Sequence, residues 1–222
     1  MPTHKIHLAV ATKVNEKLNM DLDSIMLGSV LPDICLEKDH TLSHYQNGKL
    51  GVEGTANPDL FIKKYKNKLN NPIMMGYLIH ILTDKFFNTF IFKNFYIYDK
   101  NGNDAGLHLK HKDQYMSQNK MKNIKHRECA LYDYYLINHG YVPRFKSTDC
   151  INNVENIDEA TFDKEKLKNY IISSNHDLDK TNILNKIRSN FVSYKLTTKK
   201  EMDKQFNLCC DYILNYIEKL NR

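Results

Sequence analysis

Apolar residues recur at helical spacing along much of the chain. The densest stretch is Gly76–Asn88, GYLIHILTDKFFN, in which Gly76, His80, Asp84 and Asn88 return every fourth residue. At 3.6 residues per turn these share one face, with neighbours about 5–6 Å apart at Cβ. The remaining positions are apolar nearly all round, which marks a helix buried on every side. A buried His and a buried Asp each require a partner, because an unpaired carboxylate is too costly to desolvate. A metal ion meets that need, and so does a plain His–Asp hydrogen bond. Asn88, one turn further on, is open to a supporting or a packing role.

The same periodicity predicts the other elements. His4–Leu18 is an amphipathic helix with Thr3 as its cap and Ile6, Val10, Val14 and Leu18 as its apolar stripe; His4 and His7 lie in its first turns. Asp21–Ser24 offers caps for a short helix through Ile25, Met26, Leu27 and Val30, with Pro32 as its stop. From Ile34 to Asn57 the pattern fades, and Gly48, Gly51 and Gly54 mark a long loop. Loops of this length are functional or disordered, and Asp39, His40 and His44 favour function here.

Pro58 suits the first turn of a helix reaching about Leu69, and Pro72 opens the central helix, predicted to end near Phe92. Two apolar runs flanking Asn101-Gly102 predict one small β-hairpin at about 95–110. DKNGNDAG has the outline of a calcium loop, but Asp104 occupies the turn-glycine position and Lys110 the closing Glu position, so that reading fails. Helices are then predicted over Lys112–Asn138, Asp158–Ser173, Asp177–Ser193 and from the Thr197/Thr198 cap to Leu220. The start of the first is basic (Lys110, Lys112, Lys120, Lys122, Lys125, Arg127). Such a run is ordinarily a solvated face, and otherwise an electropositive rim that draws phosphate. The expectation is an all-α fold, a single multi-helix domain over 1–222 with long loops and at most one hairpin.

Composition narrows this picture. A chain of 222 residues, 41% hydrophobic and 26% charged, reads as soluble and globular. A net charge of +6 favours anionic ligands without forming the dense basic stripe of a dedicated nucleic-acid binder. No secretory signal is visible and no apolar run reaches membrane-spanning length, so a cytoplasmic location is expected. Five cysteines without a C-x-x-C suit reduced core thiols rather than a disulfide framework or a cysteine zinc site.

Collected together, the candidate ligands are His4, His7, Asp33, His44, His80 and Asp84, all within the first 84 positions. Nitrogen and oxygen donors of this kind suit zinc, and a mixed His/Asp set without thiolate is commoner in catalytic than in structural sites. The chemistry such a site serves is activation of water and neutralisation of phosphate oxygens.

The strings Gly28-Ser29-Val30-Leu31-Pro32-Asp33, Ser43-His44-Tyr45 and Gly76-Tyr77-Leu78-Ile79-His80-Ile81-Leu82-Thr83-Asp84, after a His-led first helix, resemble the zinc-dependent phospholipase C family. That family is all-helical and similar to a group of single-strand nucleases. The resemblance covers roughly residues 1–95, the expected metal-binding half, and leaves 112–222 as supporting helices. It implies that Asp33, His44, His80 and Asp84 hold one zinc, and that a neighbouring ion shares Asp84 and takes His7. In the family's secreted enzymes the free N-terminal residue completes that second site, and His4 is expected to take its place here. The family's later H-x-x-x-E helix is missing; His108, His111 and His126 are the nearest substitutes, with His126 on the long helix.

The expected function is therefore hydrolysis of a phosphoester or phosphodiester on a small phosphate-bearing substrate, with one or two zinc ions and with Asp33 as a ligand that doubles as proton acceptor. Manganese, iron or nickel also suit the donors. Two alternatives stand beside it. One is a non-catalytic helical protein with a structural or sensing metal. The other is a nucleic-acid-processing phosphodiesterase, which the lack of an aromatic-plus-basic stacking pattern disfavours. Substrate and oligomeric state are not legible.

Overall fold

The computed structural model describes residues 2–47, 51–180 and 193–220. The described residues are mostly helical, with one small antiparallel sheet. Helix α1 (His4–Leu18) starts where the Thr3 hydroxyl accepts from the Ile6 N–H, and ends at Asn19 in the left-handed region. Its buried face is wider than the predicted stripe, taking in His7, Leu8, Ala9 and Ala11 as well as Ile6, Val10 and Val14. Helix α2 (Leu22–Gly28) is capped by Asp21, whose carboxylate accepts from the Ser24 N–H at 2.9 Å.

Pro32 does not end α2. The helix stops at Gly28, and Pro32 instead lies in the first turn of a separate short helix, α3 (Leu31–Ile34), where its missing N–H is no loss. After the loop come α4 (Pro58–Tyr65) and the central helix α5 (Pro72–Phe95), capped by Asn71. Every residue of α5 from Ile73 to Asp84 is buried.

The predicted hairpin is a three-stranded sheet of order β1 (Tyr96–Tyr98), β2 (Asp104–Leu109) and β3 (Lys112–Tyr115). Residues 112–115, expected to be helical, pair instead with β2 in the register Leu109↔Lys112 to Gly106↔Tyr115. The tight turn at Lys110-His111 returns the chain directly onto the β2 edge, and α6 (Gln118–Asn138) starts only after Ser117.

A second difference lies at α7 (Lys164–Lys180), one helix through the Ser173–Asp177 stretch where a break between two helices is expected. The Asn175 side chain turns outward there, accepting from the Phe145 N–H at 2.9 Å and donating to the Phe145 carbonyl at 2.9 Å. Spent on another segment, it no longer competes for its own helix's backbone. The predicted Asp177–Ser193 helix lies mostly outside the described residues. The last helix, α8 (Lys199–Leu220), begins as expected, with the Thr198 hydroxyl accepting from the Glu201 N–H at 3.0 Å.

Helix α5 is the axis of the larger hydrophobic core, with α1, α2, α4 and α8 packed around it. A smaller core joins its C-terminal end to the sheet and to α6 through Ile91, Tyr96, Leu107, Met121 and Ile124. Helices α2 and α5 cross at two glycines: a Cβ on Gly76 would stand 2.3 Å from the Ile25 carbonyl oxygen and 2.9 Å from Gly28 Cα. All five cysteines are free and buried. No helix among the described residues is long and apolar enough to cross a membrane.

One buried carboxylate ties α6 to the segment that leads into α8. Glu128 of α6 accepts from the Lys195, Leu196 and Thr197 N–H groups at 2.6–3.1 Å and from the Thr197 hydroxyl at 3.2 Å. Glu128→Ala leaves those donors buried without an acceptor, and is expected to lower unfolding stability by about 3 kcal/mol in urea titration.

Candidate metal centre

Separate segments deliver the donors. His7 comes from α1, Asp33 from α3, His44 from the turn that follows, and His80 and Asp84 from successive turns of α5. The Gly28–Gly76 crossing places the Ser29 carbonyl against α5, where it accepts from His80 Nδ1 at 2.8 Å. The His40 carbonyl accepts in the same way from His44 Nδ1 at 2.9 Å. Fixing Nδ1 as the donor leaves Nε2 of each ring to face the centre, the orientation that metal-ligating imidazoles adopt.

The donor atoms stand close together. His44 Nε2 is 3.0 Å from Asp33 Oδ1 and 3.8 Å from Asp84 Oδ2, and His80 Nε2 is also 3.8 Å from Asp84 Oδ2. On the other side His7 Nε2 is 3.5 Å from Asp84 Oδ1, beyond good hydrogen-bond length. Bonds of about 2.0–2.1 Å to a tetrahedral ion place its donors about 3.4 Å apart, so these separations are of the right size. The His7 and His80 rings stack at 3.8 Å between centroids.

Partners are missing at atoms that bulk solvent does not reach. Both Asp84 oxygens, both His7 ring nitrogens and His80 Nε2 are buried without a hydrogen bond. Leaving such groups unsatisfied costs about 1–3 kcal/mol each, more where charge is involved, and one bound ion would satisfy several of them together. Protons do not fill the gap at His80. Burial and the neighbouring His7 ring depress its pKa to about 3, so it stays neutral with a free lone pair. Asp84 remains anionic: burial pushes its carboxyl up, yet His7, His80 and His44 together hold it at about 2. Asp33 is held well below the usual carboxylate range, burial opposing and the His80, His44 and His7 imidazoles prevailing. Against burial, hydrogen bonding to Asp33 and the Asp84 charge raise His44.

Two overlapping triads result, His7–His80–Asp84 and Asp33–His44–His80, each with its donor atoms within 4.8 Å of one another. His80 belongs to both, but its Nε2 has one lone pair and serves one ion. Asp84, with Oδ1 toward His7 and Oδ2 toward His44 and His80, is the residue able to serve two. The donor set therefore fits a divalent metal of the borderline kind.

The remaining expected ligands stand apart from these triads. His4, 39% exposed, places Nε2 3.4 Å from Asp33 Oδ2 at the rim and joins neither donor group. His126 lines a cavity with His44 but is not among the grouped donors; burial and the Lys125 and Lys122 charges lower its pKa to about 4. His108 pairs with Asp113 on the exposed side of the sheet, and His111 is exposed in its turn. Asn88 lines the same cavity, its Oδ1 buried without a partner. The supporting carbonyls of Ser29 and His40 have no signature in the side-chain pattern, because they belong to the backbone.

Fold and site together define a mostly helical domain with a buried His/Asp cluster suited to metal. The chain matches no family model, no curated protein and no solved structure.

Proposed function

We propose that this chain is a metal-dependent hydrolase of a phosphoester or phosphodiester, with zinc or a similar ion held by Asp33, His44, His80 and Asp84, and with His7 at a neighbouring position. The observation that carries the reading is the unpartnered state of Asp84, His80 and His7 in a dry interior. A divalent metal held there supplies Lewis acidity toward water and phosphoryl oxygens. The chain's own residues orient and shield. The Ser29 and His40 carbonyls fix the rings, and Asp33, at the less buried edge of the cluster, is the carboxylate placed to accept a proton. A cavity of about 690 Å³ adjoining His44 is of small-molecule size. The motif resemblance to the zinc-dependent phospholipase C family supports the same assignment.

One observation favours a second reading. His7, His80 and Asp84 are wholly enclosed, as the ligands of a structural or sensing ion would be. Elemental analysis of protein purified without added metal or chelator, beside a His80→Ala/Asp84→Ala variant, separates the two. The hydrolase reading expects at least one ion per chain in the wild type, none in the variant, and metal-dependent turnover of bis(p-nitrophenyl) phosphate. One ion with no turnover on phosphodiester, phosphomonoester or single-stranded DNA supports the structural role; no ion at all ends both readings.

A further inference from the structure

The cavity beside the cluster has a second chemical feature. It is lined by His44 and Asn88 and, from the N-terminal half of α6, by Lys122, Lys125 and His126. Lys125 is only 8% exposed. Among the described residues its ammonium makes no ion pair and no hydrogen bond, and it lies over the Phe92 ring, 5.4 Å from nitrogen to centroid. The stem is buried against the Phe92 ring, and the ammonium is left to face the cavity. Asp104, on β2, lines the same cavity and lies near enough to feel the Lys125 charge, yet the two do not close into an ion pair, and Asp104 Oδ1 is itself buried without a donor.

An unpaired cation and a buried acceptor without a donor, lining one cavity, suit a ligand that is anionic and also carries a hydrogen-bond donor. A protonated phosphate group meets both demands: its charged oxygens accept from Lys125 and from Lys122, one turn earlier on the same face, while its P–OH donates to Asp104. We infer that Lys125 and Lys122, with Asp104 and the Asn88 amide, form an anion subsite for a phosphate group distinct from the one at the metal. The substrate class is thereby narrowed to small organic compounds bearing two phosphate groups. The narrowing of substrate rests on the hydrolase reading; the binding site itself does not.

Inorganic phosphate titrated into the full-length protein as purified, followed by calorimetry, tests this. In the wild type a phosphate site is expected whose affinity falls by at least about tenfold in Lys125→Met, the loss of one charge-assisted contact in an enclosed site. Lys125→Arg, which keeps the charge, retains it. Lys122→Met, at an exposed position whose loss leaves the core untouched, weakens it less. Asp84→Asn, which disables the metal centre, leaves it in place. Survival of the site at wild-type affinity in folded Lys125→Met overturns the proposal. If Lys125→Met fails to fold, unchanged affinity in Lys122→Met overturns it equally, as does the absence of any phosphate binding in the wild type. If the protein proves not to be a hydrolase, turnover is missing throughout while the Lys125-dependent site persists, so the two failures are told apart.

Discussion

Asp84→Asn is expected to reduce the bound metal to background and to weaken metal affinity by more than about 100-fold, since even residues that only support a ligand are worth 10–100-fold. The substitution is isosteric and sits in a wholly buried position, so loss of packing does not account for such a result. Its distinctive signature lies in stability. With metal present the wild type is the more stable protein by the free energy of metal binding; in chelator that margin narrows to what the carboxylate gains from His7, His80 and His44 alone. A simple structural His–Asp pair predicts instead a margin of the same size with and without chelator. Paired urea titrations with and without chelator distinguish them.

Gly76→Ala is expected to cost about 3 kcal/mol or more, despite the gain of about 1 kcal/mol that alanine brings to a helix interior. The added Cβ would meet backbone, the Ile25 carbonyl at 2.3 Å and the Ser29 nitrogen at 2.9 Å, so no side-chain rotation relieves it. The helices must separate, and the separation draws the Ser29 carbonyl away from His80 Nδ1. Metal affinity should therefore fall by about 10–100-fold alongside stability, although residue 76 touches no metal. Urea titration together with competition against a chromophoric chelator measures both. A variant with reduced stability and unchanged affinity would show that the crossing does not orient His80.

The central helix and its donor face were legible because polar side chains repeating every fourth residue line up on one side of a helix, and an apolar run of this length exceeds an ordinary strand. Convergence of His7, Asp33 and His44 on that face was legible only as a collection of suitable donors, and the folded chain brings them together. What periodicity missed has identifiable causes. Lys112–Tyr115 carries no apolar spacing that separates strand from helix, and pairing with β2 decides the matter. Asn175 carries the signature of a helix break, and its amide is spent on Phe145 instead. Lys125 belongs to a basic run that reads as solvated; one member of that run is turned inward, and no single-residue property distinguishes it from its exposed neighbours. His4 shares a helix face with His7 but lies one turn closer to solvent, which leaves it at the rim.

The dispersal of the donors over α1, α3, the following turn and α5 also governs when the site comes into being. During synthesis His7 emerges first and Asp84 last among them, and nothing resembling the finished cluster exists until α5 has left the ribosome and crossed α2. Each ligand must be brought across a loop whose closure is entropically unfavourable before metal rewards it. On the metal-centre reading, capture of an ion would therefore be a late event, reporting on a correctly assembled helix crossing rather than directing its assembly.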